Sequence, residues 1–478
     1  MNYIPTIGLE VHAELSTKTK IYCGCENRFG AEVNTQVCPV CSGMPGTLPV
    51  LNRKVVEYCC KMGLAIGARI NQLSKQDRKN YYYPDLPKAY QISQFDIPLC
   101  EGGSVPILVN GEEKRIGVTR IHIEEDAGKL LHDDKFSGSL VDYNRCGVPL
   151  IEIVSEPDMH SSEEAKEYLE AIKRLLQYLD ISDCRMQEGS IRCDVNVSLS
   201  PEGSDTLGTR AEMKNVNSFS GAVRAIEYEI KRQTELLERG ETVVQETRRW
   251  DDMAGQSFSM RSKEDAQDYR YFPEPDLAVI EVSDEEIARI RDTLPELPHD
   301  RFMRYRALGE LTDYECGMLV GNLTMAEFFD RCVALGGAKP KAVCNWLLGD
   351  ISRILNERGS TLSDAALTPE NLCAMIALIE KGTISNTAAK TVLEVIFDED
   401  KSPEAVVEEK GLAQNNDEGA MRALVCEILD ANEKSVADYK GGKTNALGFL
   451  VGQCMRASKG KGNPQIISKL LTEELAKR

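Results

Sequence analysis

Three acidic segments and one set of cysteines in this 478-residue chain have the residue types and spacing for chemistry. In IGLEVHAEL, strand alternation puts Ile7, Leu9, Val11, Ala13 and Leu15 on one face and Glu10, His12 and Glu14 on the other. Two carboxylates and an imidazole on one face can hold a hard metal ion; the plain alternative is a solvated strand face. In TRIHIEEDAGK, His122, Glu124, Glu125 and Asp126 gather at a strand end. In PLIEIVSEPD, Glu152 stands inside the apolar run 149–154. An unpaired carboxylate there is costly, so it needs a metal or a partner such as an arginine. Together these carboxylates suit Mg²⁺, which takes oxygen ligands and keeps waters and substrate phosphates, although histidine is an unusual member of such a shell.

The cysteines Cys23, Cys25, Cys38 and Cys41 form a CxC…CxxC pattern. Two close pairs joined by a short loop can close a tetrahedral Zn²⁺ site, with Zn–S near ~2.3 Å and no open position for catalysis. Four reduced thiols in a loop are the plain alternative. A redox CxxC is disfavoured, since no thioredoxin-like βαβ pattern surrounds it.

The sequence GGKT at 441–444 ends like a phosphate-binding P-loop, but the leading glycine would fall at Ala437 and no apolar strand precedes it. If ATP is used, its phosphates must be held by metal and basic side chains. Several polar, aromatic segments supply them. RKNYYYPDLPKAYQ carries Lys79, Tyr81, Lys88 and Tyr90; IRCDVNV carries Arg192, Asp194 and Asn196; EMKNVNSF carries Lys214 and Asn215; QETRRWD carries Arg248 and Arg249; DYRYFPEPDL carries Arg270. Each alone could be a salt-bridged loop, but so many in one region predict a shared substrate and ATP cleft.

These groups need a scaffold. Up to about residue 292 the chain alternates short strand-like runs with turns, and two helices are embedded there, one from Ser161 and one over about 220–237. Ser161 and Glu164 fit a capping box. This reads as α+β with a mainly antiparallel sheet. Beyond TLPELPHD the pattern is helical, with a second boundary near DEDKSP. The expected domains are 1–292 with a zinc-ribbon insertion at 20–45, a helical domain 293–400 and a helical tail 401–478. The net charge of −19 argues against a general nucleic-acid coat. Residues 439–472 nevertheless contain no acid and carry Lys443, Arg456, Lys459 and Lys461 among their cations, a surface suited to phosphate backbones. No run is long and apolar enough to span a membrane, no secretory signal opens the chain, and sixteen cysteines read mostly as core residues of a reducing cytoplasm.

IGLEVHAEL, DRKNYYYPDLPKAYQISQ, GVTRIHIEEDAGK, GVPLIEIVSEPD, GSIRCDVNVS, EMKNVNSF, QETRRWD, DYRYFPEPDL and GFLVGQCMRASKG, in this order, resemble the B-subunit family of tRNA-dependent amidotransferases. The resemblance covers essentially the whole chain. It implies a cradle-shaped N-terminal domain with a kinase-like site, and a helical domain and tail that bind tRNA. It implies that ATP phosphorylates the glutamyl or aspartyl carboxylate of Glu-tRNA(Gln) or Asp-tRNA(Asn). Ammonia from a glutaminase A subunit then displaces the phosphate, and a C subunit clamps A to B. Carried over residue by residue, the family's Mg²⁺ site falls on Glu10, His12, Glu125 and Glu152. The remaining readings are a non-catalytic, zinc-stabilised tRNA scaffold and a metal-dependent hydrolase. The scaffold leaves Glu152 in an apolar strand without a reason.

Overall fold

The computed structural model describes all residues except 1, 133–137, 263–267, 415–416, 442, 444 and 459–461. Two compact units result, Met1–Arg301 and Phe302–Arg478. The first is α+β and the second is helical.

The first unit is built on a ten-stranded sheet. Its strands are β1 (Tyr3–Glu14), β2 (Arg69–Ile70), β3 (Cys100–Glu101), β4 (Ser104–Val109), β5 (Glu112–Glu125), β6 (Pro149–Ser155), β7 (Ile191–Pro201), β8 (Ala211–Val216), β9 (Glu246–Asp251) and β10 (Gln256–Ser262). Their order is β10-β9-β8-β7-β1-β6-β5-β3-β2, with β4 paired to β5. Neighbours run antiparallel except β8 and β9, which are parallel. A parallel pair needs a crossover, here through the helix Phe219–Glu238 between them.

One face of the sheet is apolar. Leu9, Val11 and Ala13 of β1, Ile121 and Ile123 of β5, Ile151 and Ile153 of β6, and Val195 and Val197 of β7 are all fully buried or nearly so. Helices α1 (Arg53–Ala65), α2 (Ser162–Tyr178) and α3 (Phe219–Glu238) share one hydrophobic core with these strands. Ser161 caps α2 by accepting from the Glu164 amide at 3.1 Å. The expected reciprocal bond is displaced by one residue: the Glu164 carboxylate accepts from the His160 amide at 2.6 Å and pairs with Lys114 at 2.9 Å. Burying the apolar face leaves the other face to polar side chains, and β1 lies in its middle, between strands that follow it by more than 130 residues.

A separate three-stranded sheet joins Asp77–Asn80, Tyr90–Ser93 and Phe272–Pro273. It brings the tyrosine-rich segment near residue 80 beside the DYRYFPEPDL segment, with Phe272 opposite Arg78.

In the second unit the helix Pro403–Lys410 buries Val406 and Val407 and packs against Pro369–Glu380 and Asn386–Asp398. A further apolar cluster draws only on residues from Met421 to Leu475. This cluster lies wholly beyond the helix Pro403–Lys410, which itself packs with the helices before the boundary expected at 400.

Candidate functional site

Residues opposite one another in paired strands share a face. The register places Glu10 beside Asp194, His12 between Glu152 and Arg192, and His122 beside Glu152. Two acidic clusters follow on the polar face. In one, His12, Glu124 and Glu152 present ligand atoms within 4.8 Å of one another; in the other, Glu10, Asp194 and Glu212 do so. The His12 imidazole lies 3.4 Å from Glu152 and 3.7 Å from Glu124, and His122 is 3.3 Å from Glu152. Asn196 donates to Glu10 at 3.0 Å.

Such crowding leaves electrostatic marks. Burial, followed by the charges of Glu152, Asp194 and Glu212, pushes the Glu10 carboxyl above its ordinary value. Burial also opposes ionisation of Glu152, but His122 and His12 outweigh it and hold its carboxyl well down. Burial opposes charge on His12, yet Glu152 and then Glu124 raise it to about 9. Lys79 is kept charged against burial by Glu124, Tyr271 and Glu152. Lys214 is likewise kept charged against burial by Asp194 and Glu212; it pairs with Asp194 and stands 3.1 Å from Glu212. The face thus gathers carboxylates that call for a cation, with one lysine at each side.

Glu125, expected among the metal ligands, sits elsewhere. Strand alternation from His122 carries Glu124 to the polar face and Glu125 to the other. Glu125 pairs with Lys88 and accepts from the Ile92 amide at 2.9 Å. Lys88 and Tyr90, expected near the phosphates, line a cavity of about 220 Å³ with Tyr22, Cys41 and Glu125. Tyr81 donates to Gln91 at 3.1 Å.

The other cationic and amide candidates also divide. Arg192 shares the face but is held by Asp126 at 2.7 Å. Arg248 turns to the interior, where it donates to the Ser257 hydroxyl at 2.7 Å and lies among Glu246 and Glu229, so it braces the sheet. Its neighbour Arg249 is exposed and lies opposite Lys214, on the polar face. Asn215 has a left-handed φ of 67° and donates to the Trp250 carbonyl at 3.0 Å, which shapes the strand end. Arg270 is exposed, with φ at 44°. Glu212 was missed in the sequence, although its place two residues before Lys214 signals a shared strand face.

Cys23, Cys25, Cys38 and Cys41 converge, with all four sulfurs within 4.8 Å of one another. The hydrogen bond from the Cys23 thiol, then the Cys38 amide and Lys20, push the Cys41 thiol down to about 4. Lys20 Nζ lies 3.6 Å from that sulfur and 2.8 Å from the Gln36 carbonyl.

In the tail, Lys443 pairs with Asp438 at 2.9 Å and Arg456 is exposed. Lys459 and Lys461 lie outside the described residues.

Residues 5–288 match the family model described as the GatB/GatE catalytic domain, and residues 327–475 match a GatB domain. Among similar proteins, the aspartyl/glutamyl-tRNA(Asn/Gln) amidotransferase subunits B of Thermoanaerobacter sp. strain X514 and of Caldicellulosiruptor bescii are each 56% identical over 100% of both chains. That of Clostridium tetani is 53% identical over 100% of both.

Proposed function

The chain belongs to the family of the GatB/GatE catalytic domain, and from that premise we propose that the polar face of its sheet is where a tRNA-bound carboxylate is activated with ATP. The chain is a subunit of a tRNA-dependent amidotransferase, a ligase that turns misacylated Glu-tRNA(Gln) and Asp-tRNA(Asn) into Gln-tRNA(Gln) and Asn-tRNA(Asn). Its partners are tRNA and the other subunits of that enzyme.

A carboxylate resists attack by ammonia because hydroxide or oxide is a poor leaving group. Attack of a carboxylate oxygen on the γ-phosphorus of ATP breaks the β–γ P–O bond, releases ADP and gives an acyl phosphate. Ammonia then forms the C–N bond and phosphate leaves. As the family resemblance implies, the ammonia comes from a glutaminase A subunit, and a C subunit clamps that subunit to this chain.

The observation that carries this reading is the pair of acidic clusters on one face, flanked by Lys79 and Lys214. The donor sets fit Mg²⁺: His12, Glu124 and Glu152 in one cluster, with Glu124 taking the place expected of Glu125, and Glu10, Asp194 and Glu212 in the other. Bound there, the ion neutralises charge on the transferring phosphoryl group. Lys79 and Lys214 hold positive charge at the two sides of the face, and Arg249 extends the cationic side next to Lys214. The four cysteines fit a structural Zn²⁺: their sulfurs are already clustered, and Lys20 favours thiolate at Cys41. A scaffold without chemistry needs no such face. ADP release from ATP that depends on Glu-tRNA(Gln) tests the reading; ADP release indifferent to the tRNA refutes it.

All sixteen cysteines are unpaired thiols, which supports a reducing cytoplasm as the working compartment. No helix among the described residues is long and apolar enough to cross a membrane.

The tail is assigned to holding tRNA. Removing residues from 412 onward, beyond the helix Pro403–Lys410, is expected to raise the KM for aminoacylated tRNA at least about tenfold. Glutamine hydrolysis measured without tRNA should change much less. Alanine at Lys459 and Lys461 should act in the same direction more mildly, lowering the salt slope of binding by about one unit for each phosphate no longer neutralised. Unchanged tRNA affinity and salt slope after tail removal place the RNA-binding surface elsewhere.

A further inference from the structure

We propose that Phe95, Tyr271 and Tyr269 form a stacking shelf for the unpaired 3′-terminal adenosine of the aminoacylated tRNA, beside the acidic face. This rests on the functional reading above and adds residues to it. The Phe95 and Tyr271 rings are parallel, with centroids 4.3 Å apart and planes 8° apart. Tyr269 meets Tyr271 edge-on at 5.9 Å and Tyr81 at 5.7 Å. A lone exposed aromatic is ordinary. Here a stacked pair keeps one ring open to solvent, with Phe95 57% exposed and Tyr271 half-buried.

Position gives the shelf its purpose. The Ser93 hydroxyl, two residues before Phe95, donates to the Glu124 carboxylate at 3.3 Å. Tyr81 donates to Gln91, whose amide donates to the Glu125 carbonyl at 2.6 Å. The ammonium of Lys79 stands 5.1 Å from the Tyr269 ring centroid and 6.0 Å from that of Tyr81. The aromatic rings therefore border the His12, Glu124 and Glu152 cluster.

Only the amino-acid side chain and its ester separate the reacting carboxyl from the terminal ribose. When that carboxyl is at the acidic face, the terminal base must settle close by. Single-stranded ends are recognised by stacking unpaired bases on aromatic side chains, a contact worth ~1–3 kcal/mol per base. ATP also carries adenine, but further cations suited to its phosphates lie across the sheet, at Lys214 and Arg249 on β8 and β9. The small-sheet side is left to the tRNA end.

The test uses the assembled amidotransferase with Phe95→Leu, Tyr271→Leu and Phe95→Tyr. Phe95→Leu and Tyr271→Leu should each raise the KM for Glu-tRNA(Gln) about tenfold and leave the KM for ATP within about twofold. Phe95→Tyr, which keeps a ring, should restore the tRNA KM. A tRNA ending in 2-aminopurine should lose fluorescence on binding the unaltered complex, and Phe95→Leu should abolish that quench. An unchanged tRNA KM with the quench intact overturns the proposal. A rise in the KM for ATP alone also overturns it, since it gives the shelf to the nucleotide. Failure of the unaltered complex to release ADP in response to Glu-tRNA(Gln) marks failure of the functional reading instead.

Discussion

Glu152→Gln is expected to lower tRNA-dependent ADP release at least a hundredfold, while affinity for aminoacylated tRNA stays within about twofold. The exchange alters little volume, so the sheet should remain intact. It removes a carboxylate that both His12 and His122 contact, at 3.4 and 3.3 Å. Removing a group that stabilises developing charge in a water-poor site costs ~3–4 kcal/mol, or two to three powers of ten in rate. A neutral amide is also a weak partner for a divalent ion. His12→Ala should behave similarly. Glu125→Gln separates the two placements, because Glu125 belongs to Lys88 and the Ile92 amide rather than to the acidic cluster. Near-normal turnover in Glu152→Gln removes this carboxylate from the chemistry.

The second large effect concerns the cysteines. Purified protein should contain one zinc ion per chain, and stripping it should expose backbone amides of residues 20–45 to rapid hydrogen exchange. Structural zinc contributes folding free energy directly, apparent values reaching ~10 kcal/mol or more in small zinc modules. Without the ion, four sulfurs within 4.8 Å of one another lose their common partner. The Cys41 thiolate then keeps only hydrogen bonds and the Lys20 ammonium. The loosening should spread to the wall shared by Cys41, Tyr22, Lys88 and Glu125. The acidic face draws none of its carboxylates from this lobe, so the chemistry should survive better than the local fold. Protein free of zinc, with all four thiols reacting as fast as those of an unfolded peptide, would falsify the assignment.

Much of the polar face was legible in the one-dimensional pattern. Alternation in IGLEVHAEL separates Glu10, His12 and Glu14 from the apolar residues, because a strand with one buried face must alternate. Glu152 in an apolar run announced a partnered carboxylate, and its partners are His12 and His122. The CxC…CxxC spacing was sufficient to foresee the clustered sulfurs, since short loops restrict where the two pairs can lie. The α+β class and the helical second half followed from periodicity.

Tertiary structure decided what the pattern left open. Family resemblance pointed to Glu125, but the pleat turns adjacent residues to opposite faces, and pairing of β5 with β6 fixes Glu124 beside His12 and Glu152. The same rule sends Arg248 inward to Ser257 and Arg249 outward, a choice set by which residue of β8 each one opposes. Glu212 joins Glu10 because β7 and β8 pair after a register shift that local sequence does not reveal. Phe95 lies about 175 residues before Tyr269 and Tyr271 and meets them only because Phe272–Pro273 pairs with Asp77–Asn80. The residue types and their local faces are properties of the sequence, since they depend on neighbours one to four positions away. Which faces meet is a property of the fold, because long-range strand register depends on burying the whole apolar side of the sheet at once.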